Sequence, residues 1–194
     1  MIDTIIFDFG GVISKLDPFP RVSAVFEKRY GIDKELFYKK LKANDNAYLL
    51  GNMSTKEFWR IVCADTPISY DEFEYEIAWF EINQDVLQLI RELKEKYKMV
   101  ILSDCYIAIY EKILRHTEVT ENFSDMFYSN ILHMSKAVQK EKMFEYVLEK
   151  IHKNPDECIF IDDKEVHVNT ARNVGIRSIL FKDINQLRES ISII

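Results

Sequence analysis

The hydrophobic residues of this chain form four short runs that each end in polar or turn residues. The runs are IIFD at 5–8, MVILSD at 99–104, CIFIDD at 158–163 and RSILF at 177–181. Continuous apolar runs of this length predict short strands that are buried on both faces of a sheet. Asp8 ends the first run and is followed closely by two glycines, which allow the backbone to turn sharply or to approach a ligand closely.

Helical periodicity separates most of the predicted strands. Apolar residues recur at intervals of three and four in segments 106–116, 141–151 and 166–175. Gly175 is the expected end of the last of these helices. A further amphipathic segment, which begins at Asn83, predicts a helix that leads into the second strand. This alternation predicts an α/β fold in which a Rossmann-like parallel sheet is covered by helices.

Residues 14–82 interrupt the alternation, because they carry amphipathic helix patterns and no convincing strand. Two capping-box patterns mark helix starts in this region, each with a serine followed three residues later by a glutamate: Ser54 with Glu57, and Ser69 with Glu72. We therefore predict a small helical cap over residues 14–82. The predicted core consists of residues 1–13 and 83–194.

The composition limits the classes of protein that this chain represents. Hydrophobic residues make up 47% of its 194 residues, which is enough for one sizeable core and a small insertion. The chain has 26 Lys and Arg residues against 32 Asp and Glu, so its formal net charge is −6. No basic run interleaved with aromatic residues is visible, which argues against nucleic acid as a partner. No apolar run approaches transmembrane length, so no membrane partner is expected either.

The cysteines and the first residues indicate the cellular compartment. Cys63, Cys105 and Cys158 are odd in number, widely spaced and without a CxxC pair, which argues against a disulfide framework and against a zinc site. The first residues already predict a core strand, and they lack the charged and apolar regions of a secretory signal. We therefore expect a protein of the reducing cytoplasm.

Polar side chains are expected to meet at one edge of the predicted sheet, because parallel sheets bind ligands where the carboxyl ends of strands come together. Three of the strands end in such residues: Asp8, Ser103 with Asp104, and Asp162 with Asp163. Carboxylates brought together in this way repel one another unless a cation is bound. Oxygen ligands beside a phosphate favour magnesium, so the sequence predicts Mg²⁺ as cofactor.

These motifs resemble those of the haloacid dehalogenase superfamily over essentially the whole chain. FDFGGV is similar to the first motif of its phosphatases, which implies that Asp8 is the nucleophile that attacks phosphorus. ILSD resembles the second motif, which implies that Ser103 holds the phosphoryl group. FIDD resembles the fourth motif and implies that Asp162 and Asp163 complete a magnesium site. GNMSTKEFW at 51–59 resembles a stretch of the helical caps that are inserted after the first motif.

The resemblance also implies the remaining ligands of the metal and of the phosphoryl group. Asp8 and the backbone carbonyl of Gly10 are expected to contribute to the magnesium site. Ser103 and the backbone amides of Gly10 and Gly11 are expected to donate hydrogen bonds to the phosphoryl oxygens. Asp104, directly after Ser103, is a further candidate substrate-binding residue.

Gly10 departs from the family pattern, which usually has a second aspartate at this position as general acid and base. Such a group commonly contributes about 10² to 10⁴ in rate. A subgroup of phosphatases with a similar D-x-G start includes enzymes that act on sugar phosphates. An anomeric phosphate would suit the missing acid, because a hemiacetal oxygen leaves more readily than an ordinary alkoxide. Asp17 and Asp104 are the candidate substitutes for the lost carboxylate.

The third motif is the second departure from the family, which normally has a lysine before a turn that contains proline. This chain has HMSKAVQKEKMF, with three lysines and no proline. Lys136 is favoured because it follows a small residue in the expected loop, and Lys140, closer to the helix start, remains the alternative. The ammonium is needed to bridge Asp8 and the phosphoryl oxygens. For His167, a structural hydrogen bond is favoured over catalysis.

The predicted protein is a magnesium-dependent phosphatase that hydrolyses a small phosphorylated metabolite, with a sugar phosphate favoured, through an aspartyl-phosphate intermediate. Two alternatives remain. A regulatory protein that binds a phosphate ligand with little or no turnover would account for Gly10 and for the altered third motif. A 2-haloacid dehalogenase also lacks the second aspartate, but it needs no magnesium and lacks the paired acids seen here as Asp162 and Asp163.

Overall fold

Parallel strands form the centre of the computed structural model, which describes residues 1–15 and 18–193. The strands are β1 (Thr4–Phe7), β2 (Lys98–Ser103), β3 (Asp125–Tyr128), β4 (Cys158–Asp162) and β5 (Arg177–Leu180). Within the described residues they make one sheet with the order β3-β2-β1-β4-β5, in which every neighbouring pair is parallel. The chain adds β2 and β3 on one side of β1 and then returns to add β4 and β5 on the other side. The strand order therefore reverses beside β1.

Helices pack on both faces of this sheet. In chain order they are α1 (Pro18–Tyr30), α2 (Lys34–Ala43), α3 (Asp45–Leu49), α4 (Thr55–Val62), α5 (Tyr70–Ile77), α6 (Gln84–Leu93), α7 (Ile107–Ile113), α8 (Thr117–Thr120), α9 (Ser129–Leu132), α10 (Glu141–Ile151), α11 (Glu165–Asn173) and α12 (Ile184–Ser192). The α10 helix matches the predicted segment 141–151 at both ends. In the described part of the chain, no helix combines the length and the apolar character that crossing a membrane requires.

The sheet has an apolar cluster on each face, because successive side chains of a strand point to opposite sides. Ile5 and Phe7 of β1 pack with side chains of α6 and α7, whereas Ile6 packs with side chains of α10. The strands β2 and β4 alternate in the same way. This burial on both faces explains why the strands appear in the sequence as continuous apolar runs, and it confirms the predicted α/β fold.

The β3 strand was not among the four predicted strands, so that prediction is wrong by one strand. It is a four-residue edge strand in which Tyr128 alone is buried. It begins with Asp125, whose Oδ2 lies 2.9 Å from Nζ of Lys98. A short edge strand of this kind buries few side chains, so the sequence carries too little apolar pattern to predict it.

The helices α1 to α5 form a helical unit, residues 18–77, between β1 and α6. The unit has an apolar cluster of its own, which includes the fully buried Phe26 and Phe58. Both predicted capping boxes are confirmed, at the starts of α4 and α5. The two connections to the sheet run side by side, since Asn83 N donates to the Ile13 carbonyl oxygen at 2.8 Å.

An aromatic stack joins the helical unit to the loop that follows β2. The ring of Tyr106 lies nearly parallel to the rings of Phe19 and Tyr48, with centroids 5.0 and 4.9 Å away. The Tyr106 hydroxyl also donates to Asp45 Oδ1 at 2.6 Å. These contacts place the helical unit beside the carboxyl end of β2.

Candidate active site

The carboxyl ends of β2, β1 and β4 are neighbours in the sheet, and each carries a predicted site residue. Asp8 directly follows β1, and its amide donates to the Ile161 carbonyl oxygen of β4 at 2.9 Å. Ser103 is the last residue of β2 and Asp162 is the last residue of β4. All three of these side chains are buried. They lie where the strand order reverses, which is the usual ligand-binding position of such sheets.

A buried lysine joins two of these carboxylates. Nζ of Lys136 lies 3.0 Å from Asp8 Oδ1 and 2.6 Å from Asp162 Oδ2, and the Lys136 side chain is 0% exposed. Lys140 is exposed and stands at the start of α10. The geometry therefore favours Lys136 over Lys140 as the lysine of the third motif.

Asp162 is surrounded by hydrogen-bond donors. In addition to Lys136, Lys164 N donates to its Oδ1 at 2.8 Å, and His167 Nδ1 lies 3.1 Å from its Oδ2. Burial alone would raise the pKa of Asp162, but the ammonium of Lys136 and the contact with His167 bring that pKa below its usual range. Asp162 is therefore ionised, and the contact of His167 agrees with the structural hydrogen bond expected for it.

Asp8 is in a different electrostatic environment from Asp162. Burial raises the pKa of Asp8 to about 7, and the charge of Lys136 opposes this shift only in part. Phe9 N donates to Asp8 Oδ1 at 2.8 Å, so this hydrogen bond and the ion pair with Lys136 use the same carboxylate oxygen. The pKa of Lys136 is lowered by burial but raised more by the two carboxylates, so the lysine keeps its proton.

Asp8, Asp162 and Asp163 form a group that fits a divalent cation. One carboxylate oxygen from each lies within 4.8 Å of the other two. A Cβ added to Gly11 would lie 2.3 Å from Asp163 Oδ2, so the Asp163 carboxylate occupies the space that this glycine leaves open. Gly10 lines a cavity that Asp8 and Asp163 also line. Oxygen donors of this kind are the ligands that hard cations such as Mg²⁺ prefer.

Ser103 and Asp104 are adjacent in sequence but have different surroundings. Both line the cavity that contains Asp8. The Asp104 carboxylate also accepts two backbone hydrogen bonds, from Lys136 N to Oδ1 at 2.8 Å and from Ala137 N to Oδ2 at 3.1 Å. The sequence did not predict this contact, because no spacing rule relates the two loops. Asp17, the other candidate for the lost carboxylate, lies outside the described residues.

A cavity of about 450 Å³ lies between these residues and the helical unit. Lys42 and Asp45, which form an ion pair, contribute its polar lining from the helical unit. Trp79 and Phe80 contribute apolar surface. None of these four residues was predicted as a site residue, because the sequence pattern of the insertion does not tell which of its positions face the sheet.

Proteins of known structure or activity are similar to this chain. A D-ribitol-5-phosphate phosphatase from Bacteroides thetaiotaomicron is 22% identical over 215 aligned residues, which cover 100% of this chain and 98% of the relative. A haloacid dehalogenase family enzyme from the same organism, solved in complex with magnesium and inorganic phosphate, superposes with a TM-score of 0.78 at 22% identity, over 94% of this chain and 95% of that chain. A 2-haloacid dehalogenase from Pseudomonas syringae superposes with a TM-score of 0.70 at 11% identity, over 99% of each chain.

The match to a family model shows the protein family of this chain, which the structural similarities by themselves do not show. At such identities, the superpositions show the fold alone, and they include a dehalogenase as well as the enzyme solved with magnesium and phosphate. The family model described as haloacid dehalogenase-like hydrolase matches residues 2–175, which include the predicted motifs, the sheet strands β1 to β4 and the helical unit. The hydrolase class predicted from the motifs is thereby confirmed. The chain belongs to the haloacid dehalogenase-like hydrolase family.

Proposed function

We propose that this protein is a magnesium-dependent phosphatase that hydrolyses a small phosphorylated metabolite through an aspartyl-phosphate on Asp8. The observation that carries the proposal is the position of Lys136, whose ammonium contacts both Asp8 and Asp162 at the carboxyl edge of the sheet. A carboxylate attacks a phosphate dianion poorly because like charges repel, and a buried ammonium beside the carboxylate reduces that repulsion.

The proposed ligands of Mg²⁺ are Asp8, Asp162, Asp163 and the backbone carbonyl of Gly10. The grouping of three carboxylate oxygens within 4.8 Å supports this set, as does the magnesium in the structure of the Bacteroides family enzyme. When bound, the ion neutralises negative charge on the nucleophile and on the phosphoryl oxygens. A cation beside Asp8 also favours its ionised form, which is the form that attacks phosphorus.

The side chains of the chain perform the two chemical steps. Asp8 forms a bond to phosphorus while the bond from phosphorus to the leaving oxygen breaks. The leaving oxygen keeps the electron pair of that bond and takes a proton from water, because Gly10 offers no acid. The Ser103 hydroxyl and the amides of Gly10 and Gly11 donate to the phosphoryl oxygens. Water then attacks the phosphorus of the aspartyl-phosphate, which releases inorganic phosphate and restores Asp8. Lys136 keeps its proton throughout, so its role is electrostatic.

We propose a sugar phosphate or sugar-alcohol phosphate as the substrate. The relative from Bacteroides thetaiotaomicron acts on D-ribitol 5-phosphate, and a cavity of about 450 Å³ has room for a molecule of this size. Lys42 and Asp45 line that cavity with groups that can donate and accept hydrogen bonds to hydroxyls. The helical unit is, in this proposal, the cap that covers the substrate. The three cysteines are free and buried, which agrees with the expected cytoplasmic location.

Replacing Gly10 with aspartate is expected to restore the missing acid and base and to raise kcat/KM for alkyl phosphates by up to about 10²-fold. A Cβ at Gly10 would meet no other atom within 4 Å, so a side chain fits there. Aryl phosphates should gain less, because their leaving groups need little protonation. Gly10→Asn is the matched control, since it has the same shape without the acid. A uniform loss of activity in Gly10→Asp would contradict this account.

Replacing Gly11 with alanine is expected to weaken magnesium binding by more than about tenfold, because the new Cβ would occupy the position of the Asp163 carboxylate. Gly31→Ala is the matched control. Both glycines have a positive φ, +79° and +68°, but a Cβ at Gly31 meets nothing within 4 Å. The two variants therefore share the backbone strain and differ in the contact with Asp163. Titration calorimetry with MgCl₂ measures the effect, and an equal affinity in both variants would argue against Asp163 as a ligand.

A substrate panel tests the proposed function and separates it from its alternatives. It contains p-nitrophenyl phosphate, acetyl phosphate, D-ribitol 5-phosphate, several sugar phosphates and chloroacetate, each with and without Mg²⁺. Metal-dependent phosphate release supports the phosphatase. Chloride release without metal would show a dehalogenase. Thermal stabilisation by phosphate ligands without turnover would show a binding protein.

A further inference from the structure

The Asp104 carboxylate connects the loop after β2 to the loop that carries Lys136. Its Oδ1 accepts the Lys136 amide at 2.8 Å and its Oδ2 accepts the Ala137 amide at 3.1 Å. The ammonium of Lys136 in turn contacts the carboxylates of Asp8 and Asp162. The two amides and the ammonium therefore belong to one connected arrangement, in which Asp104 holds the backbone and the two aspartates hold the side chain.

The loop that carries Lys136 has other contacts besides those with Asp104: the lysine ammonium contacts Asp8 and Asp162, and His133 Nδ1 lies 2.7 Å from the Leu50 carbonyl oxygen. The loop runs from His133 to Lys140 between α9 and α10, and both of these end residues have a positive φ, 53° and 50°. Inside the loop, Ser135 N donates to Gln139 Oε1 at 2.7 Å and Val138 N donates to Ser135 Oγ at 3.0 Å. Those bonds shape the turn, whereas the bonds to Asp104 attach it to the end of β2.

In the family pattern, the turn after the third-motif lysine contains a proline, which restricts its backbone. In this chain, hydrogen bonds from the backbone to Asp104 restrict the same turn instead. Proline fixes φ and has no amide hydrogen. This chain has Ala137 directly after the lysine and no proline in the loop, so the Ala137 amide is free to donate and does so to Asp104.

The same contacts argue against the other roles considered for Asp104. A general acid must present a proton to the leaving oxygen, whereas both oxygens of Asp104 already accept backbone N–H groups. A carboxylate at this position would also be a poor neighbour for a phosphate dianion in the cavity, because like charges repel. The geometry points to Asp104 as a positioning residue: we propose that it places Lys136 for the attack by Asp8. This inference rests on the proposed function for its catalytic meaning.

The first test compares Asp104→Ala and Asp104→Asn with Asp183→Ala. Asp183 is the matched control because its carboxylate also accepts two backbone amides, from Asn185 and Gln186 at 2.9 Å each, at the start of α12. With p-nitrophenyl phosphate and saturating MgCl₂, Asp104→Ala should lower kcat about 10- to 100-fold with little change in KM. Asp104→Asn should lose less, since its amide oxygen keeps one acceptor. Asp183→Ala should keep the wild-type kcat.

A double-mutant cycle with Lys136→Met tests whether Asp104 acts through the lysine. If it does, Asp104→Ala should have little further effect on kcat in the Lys136→Met background. A loss of the same factor in both backgrounds would overturn the proposal, as would a raised KM with unchanged kcat, which would indicate a direct substrate contact. If Asp104→Ala fails to fold, the cycle is run with Asp104→Asn. An equal loss of kcat in both backgrounds would again overturn the proposal.

An NMR measurement decides the positioning without using activity. The buried Lys136 ammonium, bonded to Asp8 and Asp162, should give a slowly exchanging ¹⁵Nζ signal in the wild-type protein, and the amides of Lys136 and Ala137 should be protected. These features should be weakened in Asp104→Ala and Asp104→Asn and kept in Asp183→Ala. Unchanged signals in the Asp104 variants would overturn the proposal. If the wild-type protein has no phosphatase activity, the proposed function is contradicted. The NMR comparison of the Asp104 and Asp183 variants then still tests whether Asp104 positions Lys136.

Discussion

Replacing Asp8 with asparagine is expected to lower kcat for phosphate release by about 10⁵-fold, because the carboxamide cannot form an aspartyl-phosphate. The substitution hardly changes the size of the side chain. Phe9 N, which donates to Asp8 Oδ1 at 2.8 Å, can donate to the asparagine oxygen in the same way. Lys136 keeps its contact with Asp162 at 2.6 Å. We therefore expect a folded protein that has lost the chemical step.

The measurement combines steady-state kinetics with mass spectrometry of acid-quenched enzyme. Wild-type protein mixed with substrate should yield a phosphorylated peptide that contains Asp8, and the Asp8→Asn variant should yield none. Asp3→Asn is the matched control, since Asp3 precedes the opposite end of β1 and pairs with Lys153, far from the carboxyl edge of the sheet. Phosphate label on another residue, or full turnover by Asp8→Asn, would remove Asp8 from the mechanism.

Replacing Lys136 with methionine is expected to lower kcat by about 10³-fold, the size of effect seen when a preorganised charge or donor is removed from a reacting group. The ammonium lies 3.0 Å from Asp8 Oδ1, and no other lysine ammonium among the described residues is found in contact with that carboxylate. Without this positive charge, the electrostatic repulsion between the Asp8 carboxylate and the phosphate dianion is larger. Methionine fills a similar volume, so the change removes mainly the charge.

The same variant should also be less stable in metal-free buffer. Removing one partner of a buried ion pair commonly costs about 3 to 5 kcal/mol, because a buried charge is left without compensation. Asp8 relieves part of this cost by taking up a proton, since burial already raises its pKa to about 7. We therefore expect the free energy of unfolding, measured with denaturant at neutral pH, to fall by an amount at the lower end of that range.

Lys140→Met is the matched control for this prediction, because Lys140 lies in the same segment but is exposed at the start of α10. It should keep the wild-type kcat and stability. If Lys140→Met lost activity and Lys136→Met kept it, the assignment of the third-motif lysine would have to be reversed.

Much of this site was predictable because its residues stand next to strong local patterns. Asp8, Ser103 and Asp162 each end or directly follow a strand whose apolar run is buried on both faces. Parallel strands place their carboxyl ends at one edge of a sheet, so the pattern alone brings these residues together. The edge strand β3 has no such run, and for that reason it was missed.

Contacts between loops were not predictable in the same way. The sequence favoured Lys136 over Lys140 without excluding the second, because a lysine side chain is long enough to reach the site from several backbone positions. The pairing of Asp104 with the amides of Lys136 and Ala137 leaves no trace in either loop taken alone.

The sequence by itself determined the succession of strands and helices, the helical character of the inserted region and the acidic residues at the strand ends, since each depends on neighbours along the chain. Only the tertiary structure decided that Lys136 reaches Asp8, that Asp104 holds its loop, and that Lys42 and Asp45 line the cavity. These outcomes depend on distances between segments far apart in the sequence, and such distances are set by packing of the whole fold rather than by local periodicity.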